Sequence, residues 1–215
     1  MFRNTTQKLM FVALFVLVSL AGCDSKKAED EKTAPPPVKV DFPGTMEGAK
    51  ELVGAFLVEG VDGKAVSNAL RPKPEDYAAV FSADAEAIQA KYDAMWEGGE
   101  VVINRDASQT ELVLWASPSE GFLNMLEGDS QYFPGGYLKA AAHLKPGLTF
   151  YRFKFVAPGE ELGMGWDGLV YVNGHWAVFP KPWRALPGYL PGDEVEQMFD
   201  SMSPYDIKKM MDEQQ

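Results

Sequence analysis

Asp167 is the residue of this sequence that comes nearest to catalytic chemistry. It lies on a run from Met164 to Val172 that is rich in apolar residues. Burial of a carboxylate in such surroundings raises its pKa towards the range of a usable general base. Histidine partners are scarce, since the chain holds only His143 and His175. Asn173-Gly174 separates two apolar runs and predicts a two-residue hairpin turn. In that register Val172 faces His175 and Tyr171 faces Trp176. Strand alternation then groups Asp167, Leu169, Tyr171, Trp176 and Val178 on one face, and Val170, Val172, His175 and Ala177 on the other. An Asp167–His175 dyad across the hairpin is therefore not expected. Asp167 is left with His143, with a nearby cation such as Arg152 or Lys181, or with water.

Other catalytic and ligand-binding patterns are missing. No HxH or HExxH spacing is present, and one cysteine, Cys23, cannot make a multi-cysteine metal site, so no metal is expected. Gly163-Met164-Gly165 lacks the third glycine of a dinucleotide fingerprint, no Walker loop occurs, and no cofactor is expected. Ser117-Pro118-Ser119 lacks the flanking glycines of a nucleophile elbow. The aromatic residues say more. Trp96, Trp115, Tyr151, Trp166, Tyr171 and Trp176, with Phe153 and Trp183, all fall in the same part of the chain. They either fill a core or line a pocket for a small apolar ligand.

The amino terminus carries a different kind of chemistry. Arg3 and Lys8 precede Met10 to Leu20, an apolar run broken only by Ser19. That run is too short for a transmembrane helix and suits the central region of a signal peptide. Leu20-Ala21-Gly22-Cys23 follows and resembles the lipobox of bacterial lipoproteins. The resemblance implies cleavage before Cys23, diacylglycerol on its thiol, palmitate among the acyl chains, and residence in the cell envelope outside the cytoplasm. Two or three acyl chains anchor durably where one does not. Asp24 resembles the signal that keeps such proteins on the periplasmic face of the inner membrane. The net charge is −11, and loss of Arg3 and Lys8 makes it two units more negative. Such a surface repels phosphate backbones, so nucleic acid is not expected as a partner, and it repels anionic headgroups, so attachment rests on the lipid.

These features sit in an ordered layout. Residues 1–22 read as the signal peptide and 23–44 as the lipidated cysteine and a charged, proline-ended tether. Residues 45–183 read as an α+β domain and 184–215 as a loop with short helices. At 46% hydrophobic content the chain can bury one real core. Helices are expected from Thr45, from Gly63 to Leu70, from Pro74, and from Ser82 or Asp84 to Gly98-Gly99. Strands are expected at Glu100 to Ile103 and Thr110 to Trp115 as a hairpin, then at Leu148 to Ala157, Met164 to Val172 and His175 to Phe179. Ser203-Pro204 is expected to start a last helix bearing Ile207, Met210 and Met211.

Helices before antiparallel strands predict helices packed on one face of a curved sheet. The opening helix with Gly60-Val61-Asp62-Gly63, the helix ending Tyr92-Asp93-Ala94-Met95-Trp96, and the hairpin from Gly168 to Trp176 resemble the nuclear transport factor 2-like superfamily. That resemblance implies a cone-shaped fold. It also implies, for its ketosteroid-isomerase-like members, an acid in an apolar cone, here Asp167, in an isomerase, dehydratase or cyclase. The absence of a catalytic set favours instead a non-catalytic domain that binds a small apolar ligand or an envelope protein. A structural or assembly factor is the third reading.

Overall fold

The computed structural model describes residues 39–212. The expected signal peptide, Cys23 and most of the expected tether lie outside the described residues. Four helices come first: α1 (Met46–Gly54), α2 (Gly63–Ala69), α3 (Pro74–Val80) and α4 (Ala85–Glu97). Local chemistry fixes their starts. The Thr45 hydroxyl accepts from Gly48 N–H, and the Asp62 carboxylate accepts from Ala65 N–H. Pro74 opens α3, where its missing N–H costs nothing, and Asp76 reaches back to accept from Lys73 N–H. α4 buries Ile88, Tyr92 and Trp96 and stops at Gly98-Gly99.

Four strands follow: β1 (Glu111–Pro118), β2 (Thr149–Val156), β3 (Gly163–Val172) and β4 (His175–Val178). They form one antiparallel sheet in the order β1-β2-β3-β4. The protein is therefore α+β. Asn173 and Gly174 both take positive φ, and Val172 pairs with His175 and Tyr171 with Trp176, as the turn chemistry predicts.

The hairpin expected between Glu100 to Ile103 and Thr110 to Trp115 does not form. Val101 and Ile103 are buried, but Ile103 N–H donates to the Ser67 hydroxyl at the end of α2. Arg105 Nε likewise donates to the Phe56 carbonyl and Trp166 Nε1 to the Asn104 carbonyl. Side chains and carbonyls of other elements take these groups, so β1 pairs with β2 alone. Between β1 and β2 the chain makes 3-10 turns and the short helix α5 (Tyr137–Ala140).

Each face of the sheet has its own cover. Leu114, Phe153, Trp166, Tyr171 and Trp176 share one face by pairing. Trp176 Nε1 donates to the Phe42 carbonyl there, and Phe56 packs on Phe155. The opposite face carries Phe150, Val170, His175 and Ala177, then Arg152, Lys154 and Trp115. Tyr137 and Phe122 pack on Phe150, and α3 reaches His175 through Asp76. After β4 come α6 (Pro182–Ala185), α7 (Glu194–Ser201) and α8 (Pro204–Asp212). The segment after residue 183 is bonded into the domain. Gly135 and Gly136 N–H donate to the Met202 and Asp200 carbonyls, and Lys139 binds Asp200.

A bulge in β3 corrects the expected facing of Asp167. Tyr151 pairs with Leu169 and Phe153 with Trp166, so β3 carries one residue more than β2 between these pairs. Gly168 absorbs it at φ +84°, and a Cβ there would overlap the Phe179 carbonyl oxygen. The extra residue breaks alternation and turns Asp167 to the face of Phe150 and Arg152, away from Leu169 and Tyr171.

Candidate functional site

Asp167 is 6% exposed. Tyr137 hydroxyl donates to its Oδ1 at 3.0 Å, and Lys181 backbone N–H donates to the same oxygen at 2.8 Å. Burial pushes its pKa up, against the opposing pull of those two donors and of the Arg152 and Lys181 charges. The same burial, with Asp167 beside it, holds the Tyr137 hydroxyl well above its ordinary pKa. His143 is not bonded to Asp167; the His143 carbonyl accepts from the Ser82 N–H and hydroxyl. His175 is engaged elsewhere: its Nε2 lies 3.0 Å from Asp76 Oδ2. Asp76 has no exposure and also accepts from Asn173 Nδ2 and Lys73 N–H. It thus ties the β3–β4 turn to the start of α3.

A concavity lies on the outer part of the second face. It is a cleft of about 820 Å3. Its floor is Val113 and Trp115 from β1, Arg152 and Lys154 from β2, and Gly163 and Gly165 from β3. A side chain at 165 would stand against Lys154 and Arg152, so Gly165 keeps that part of the floor open, whereas a Cβ at 163 would overlap the Phe155 carbonyl oxygen. Tyr132, Met202, Tyr205 and Met210 form walls, and Leu162 stands at the edge, 81% exposed. Tyr132 stacks on Trp115 at 5.1 Å between centroids and meets Tyr205 at 4.9 Å.

Two cations in this floor are unusual. The Arg152 and Lys154 side chains are only 9% and 14% exposed. Each sits 5.7 Å from the centroid of the Trp115 ring, within cation–π range. Asp206 on α8 is their acid, yet it stands 3.8 Å from Arg152 and 3.6 Å from Lys154. Its hydrogen bonds go instead to Ser203, whose hydroxyl donates to Asp206 Oδ2 and accepts from its N–H. Ser203 thus caps the start of α8. Burial lowers the pKa of both Arg152 and Lys154; the Asp167 charge and then that of Asp206 oppose it at Arg152, and the Asp206 charge opposes it at Lys154. Burial raises that of Asp206, but the Ser203 bonds and the two cations outweigh it and leave it below the usual value.

The six aromatic residues read as either core or pocket lining are not gathered in one place. Trp115 alone of them lines the cleft. Tyr151 and Tyr171 pack edge-on against Trp176 on the other face. Trp166 is held by Asn104, and Trp96 is buried in the face of α4. Asp167 does not line the cleft. Arg152, Lys154 and Asp206 are the residues that sequence reading passed over as a site. The legible signal was Arg152 and Lys154 at i and i+2 in an otherwise apolar strand, which puts two charges on one face. Asp206 lies more than fifty residues further on, and nothing local pairs it with them.

Among the described residues there is no group of three or more histidine, cysteine, aspartate or glutamate side chains that could hold a metal, and no helix long and apolar enough to cross a membrane. No protein-family model, no curated protein and no solved structure matches this chain.

Proposed function

We propose that this chain is a lipid-anchored envelope lipoprotein whose domain binds a small, largely apolar ligand in the cleft under α8. The observation that carries the binding reading is the cleft itself: about 820 Å3, walled by Tyr132, Met202, Tyr205 and Met210, and open above Gly165. That volume lies in the range of small-molecule sites. The anchor rests on the Leu20-Ala21-Gly22-Cys23 tetrapeptide behind a short charged and apolar leader. Asp24 supports the periplasmic face of the inner membrane. For the fold, we read the helices ahead of a bulged antiparallel sheet as a nuclear transport factor 2-like cone.

Two experiments test this. Growth with radiolabelled palmitate is expected to label the native chain and not a Cys23→Ser chain, and equal labelling of both removes the anchor. A screen of small amphiphiles by calorimetry, with a pull-down from envelope extracts, is expected to return a saturable ligand. If the extract yields only a protein, the exposed Met198, Phe199 and Met211 side chains become the place to look for its contact. If both are empty, the binding reading falls.

Asp167 favours a second reading, an isomerase, dehydratase or cyclase, because it is buried with a tyrosine hydroxyl on its Oδ1. A base of that kind abstracts an acidic α-hydrogen of its substrate. Turnover of a substrate with an acidic α-hydrogen that is undiminished in Asp167→Asn would remove it.

A further inference from the structure

The cleft has a charged end, and the charge is not matched by hydrogen bonds. Among the described residues no hydrogen bond of 3.5 Å or less reaches the Arg152 guanidinium, although its side chain is nine-tenths buried. A guanidinium offers five N–H donors in a planar fork that fits a carboxylate. The Lys154 ammonium lies on the same face one pleat away, and its nearest acid is also beyond hydrogen-bond distance. Burying such groups without good partners is costly, and a structure that does so has a reason to welcome an anion.

We propose that the cleft takes a monocarboxylic amphiphile, with its carboxylate on Arg152 and Lys154 and its apolar body along Tyr205, Leu162, Met202 and Met210. This deepens the binding reading above and rests on it. Asp206 holds the same two cations from α8 at 3.6–3.8 Å. It neutralises them loosely while its own hydrogen bonds remain with Ser203. A ligand carboxylate that closes to the usual charge-assisted distance of about 2.8 Å makes the bonds Asp206 does not make. The lining offers no net positive charge to offset a dianion, so the head is fixed by the two buried cations alone. The lining holds three cations (Arg152, Lys154, Lys209) and three anions (Glu160, Glu161, Asp206), on a chain of net charge −11. A dianionic phosphate meets that field as net repulsion, and an ammonium head meets the two buried cations.

The test is calorimetry on the folded chain with four probes: decanoate, 4-phenylbutanoate, 1-decanol and decyltrimethylammonium. Either carboxylate is expected to bind at least tenfold tighter than decanol, and decyltrimethylammonium not at all. The tighter of the two carboxylates tells an acyl from an aryl ligand. Arg152→Met and Lys154→Met are each expected to weaken carboxylate binding about tenfold and to leave decanol unchanged, a readout that a misfolded chain fails. Asp206→Asn keeps an acceptor for Ser203 and is expected to tighten carboxylate binding severalfold. Decanol equal to decanoate, with no effect of the Arg152 and Lys154 substitutions, overturns the carboxylate while the apolar cleft stands. If no probe binds, both fall.

Discussion

His175 Nε2 lies 3.0 Å from Asp76 Oδ2, a carboxylate with no solvent exposure. One side chain thereby receives the β3–β4 turn through Asn173, the edge strand through His175, and the start of α3 through Lys73 N–H. Removing it leaves three polar groups without their acceptor. Asp76→Ala is expected to lower stability by about 2–4 kcal/mol. His175→Ala leaves Asp76 with two of its three partners and is expected to cost about 1–2 kcal/mol. Urea denaturation midpoints check both. Equal losses would mean that the histidine, not the carboxylate, is the joint.

Gly168 and Gly174 both adopt positive φ, but for different physical reasons. A Cβ at 174 meets nothing within 4 Å, so Gly174→Ala carries only the left-handed strain of about 1–2 kcal/mol. A Cβ at 168 overlaps the Phe179 carbonyl, which itself accepts no relief because Phe179 N–H is bonded to Gly168 O at 2.8 Å. Gly168→Ala is expected to give insoluble protein, or a melting temperature far below that of Gly174→Ala. Similar melting temperatures for the two would mean that the bulge yields freely.

Much of the frame was legible because it is locally encoded. Thr45, Asp62 and Pro74 start their helices for reasons contained within four residues, and Asn173-Gly174 sets the β3–β4 register by itself. Two things were not local. The Ile103 amide is claimed by the Ser67 hydroxyl and the Glu100 amide by the Met95 carbonyl, which no strand propensity records. The bulge at Gly168 reverses the facing of Asp167, and alternation cannot foresee an inserted residue. With the bulge, Asp167 and His175 share a face after all. They still do not meet, because His175 sits opposite Val172, roughly 15 Å along the strand, and is taken by Asp76. The cleft was illegible for a related reason: its floor comes from three strands and its counter-ion from the last helix.

Asp167 and Asp206 predict opposite slopes of stability with pH. Burial raises the folded pKa of Asp167, so the folded chain holds its proton more tightly than the unfolded chain. Its contribution therefore worsens as pH rises from the usual carboxylate value through the raised one. Asp167→Asn keeps an oxygen for Tyr137 and Lys181 and removes that slope. It is expected to be as stable as the native chain near pH 4, and the more stable of the two at pH 7. Asp206 has a lowered folded pKa, so its contribution is complete above the usual value and is lost as pH falls through the lowered one. The deficit of Asp206→Asn is expected at pH 5 and above and to vanish near pH 2. Melting curves at these pH values check both signs.

Arg152 is predicted to trade stability against binding. Its guanidinium is buried without hydrogen bonds, which costs desolvation, while Asp167 and Asp206 return part of that cost through their charges. Methionine fills a similar volume with no such cost. Arg152→Met is therefore expected to stay within about 1 kcal/mol of the native stability, well below the loss from Asp76→Ala. Binding of carboxylates is expected to fall tenfold in the same protein. A denaturation midpoint and a titration on one preparation separate the two effects. A loss of several kcal/mol at Arg152 would assign the cation to holding Asp167 and α8 in place, and the cleft would then owe its charge to packing and not to a ligand.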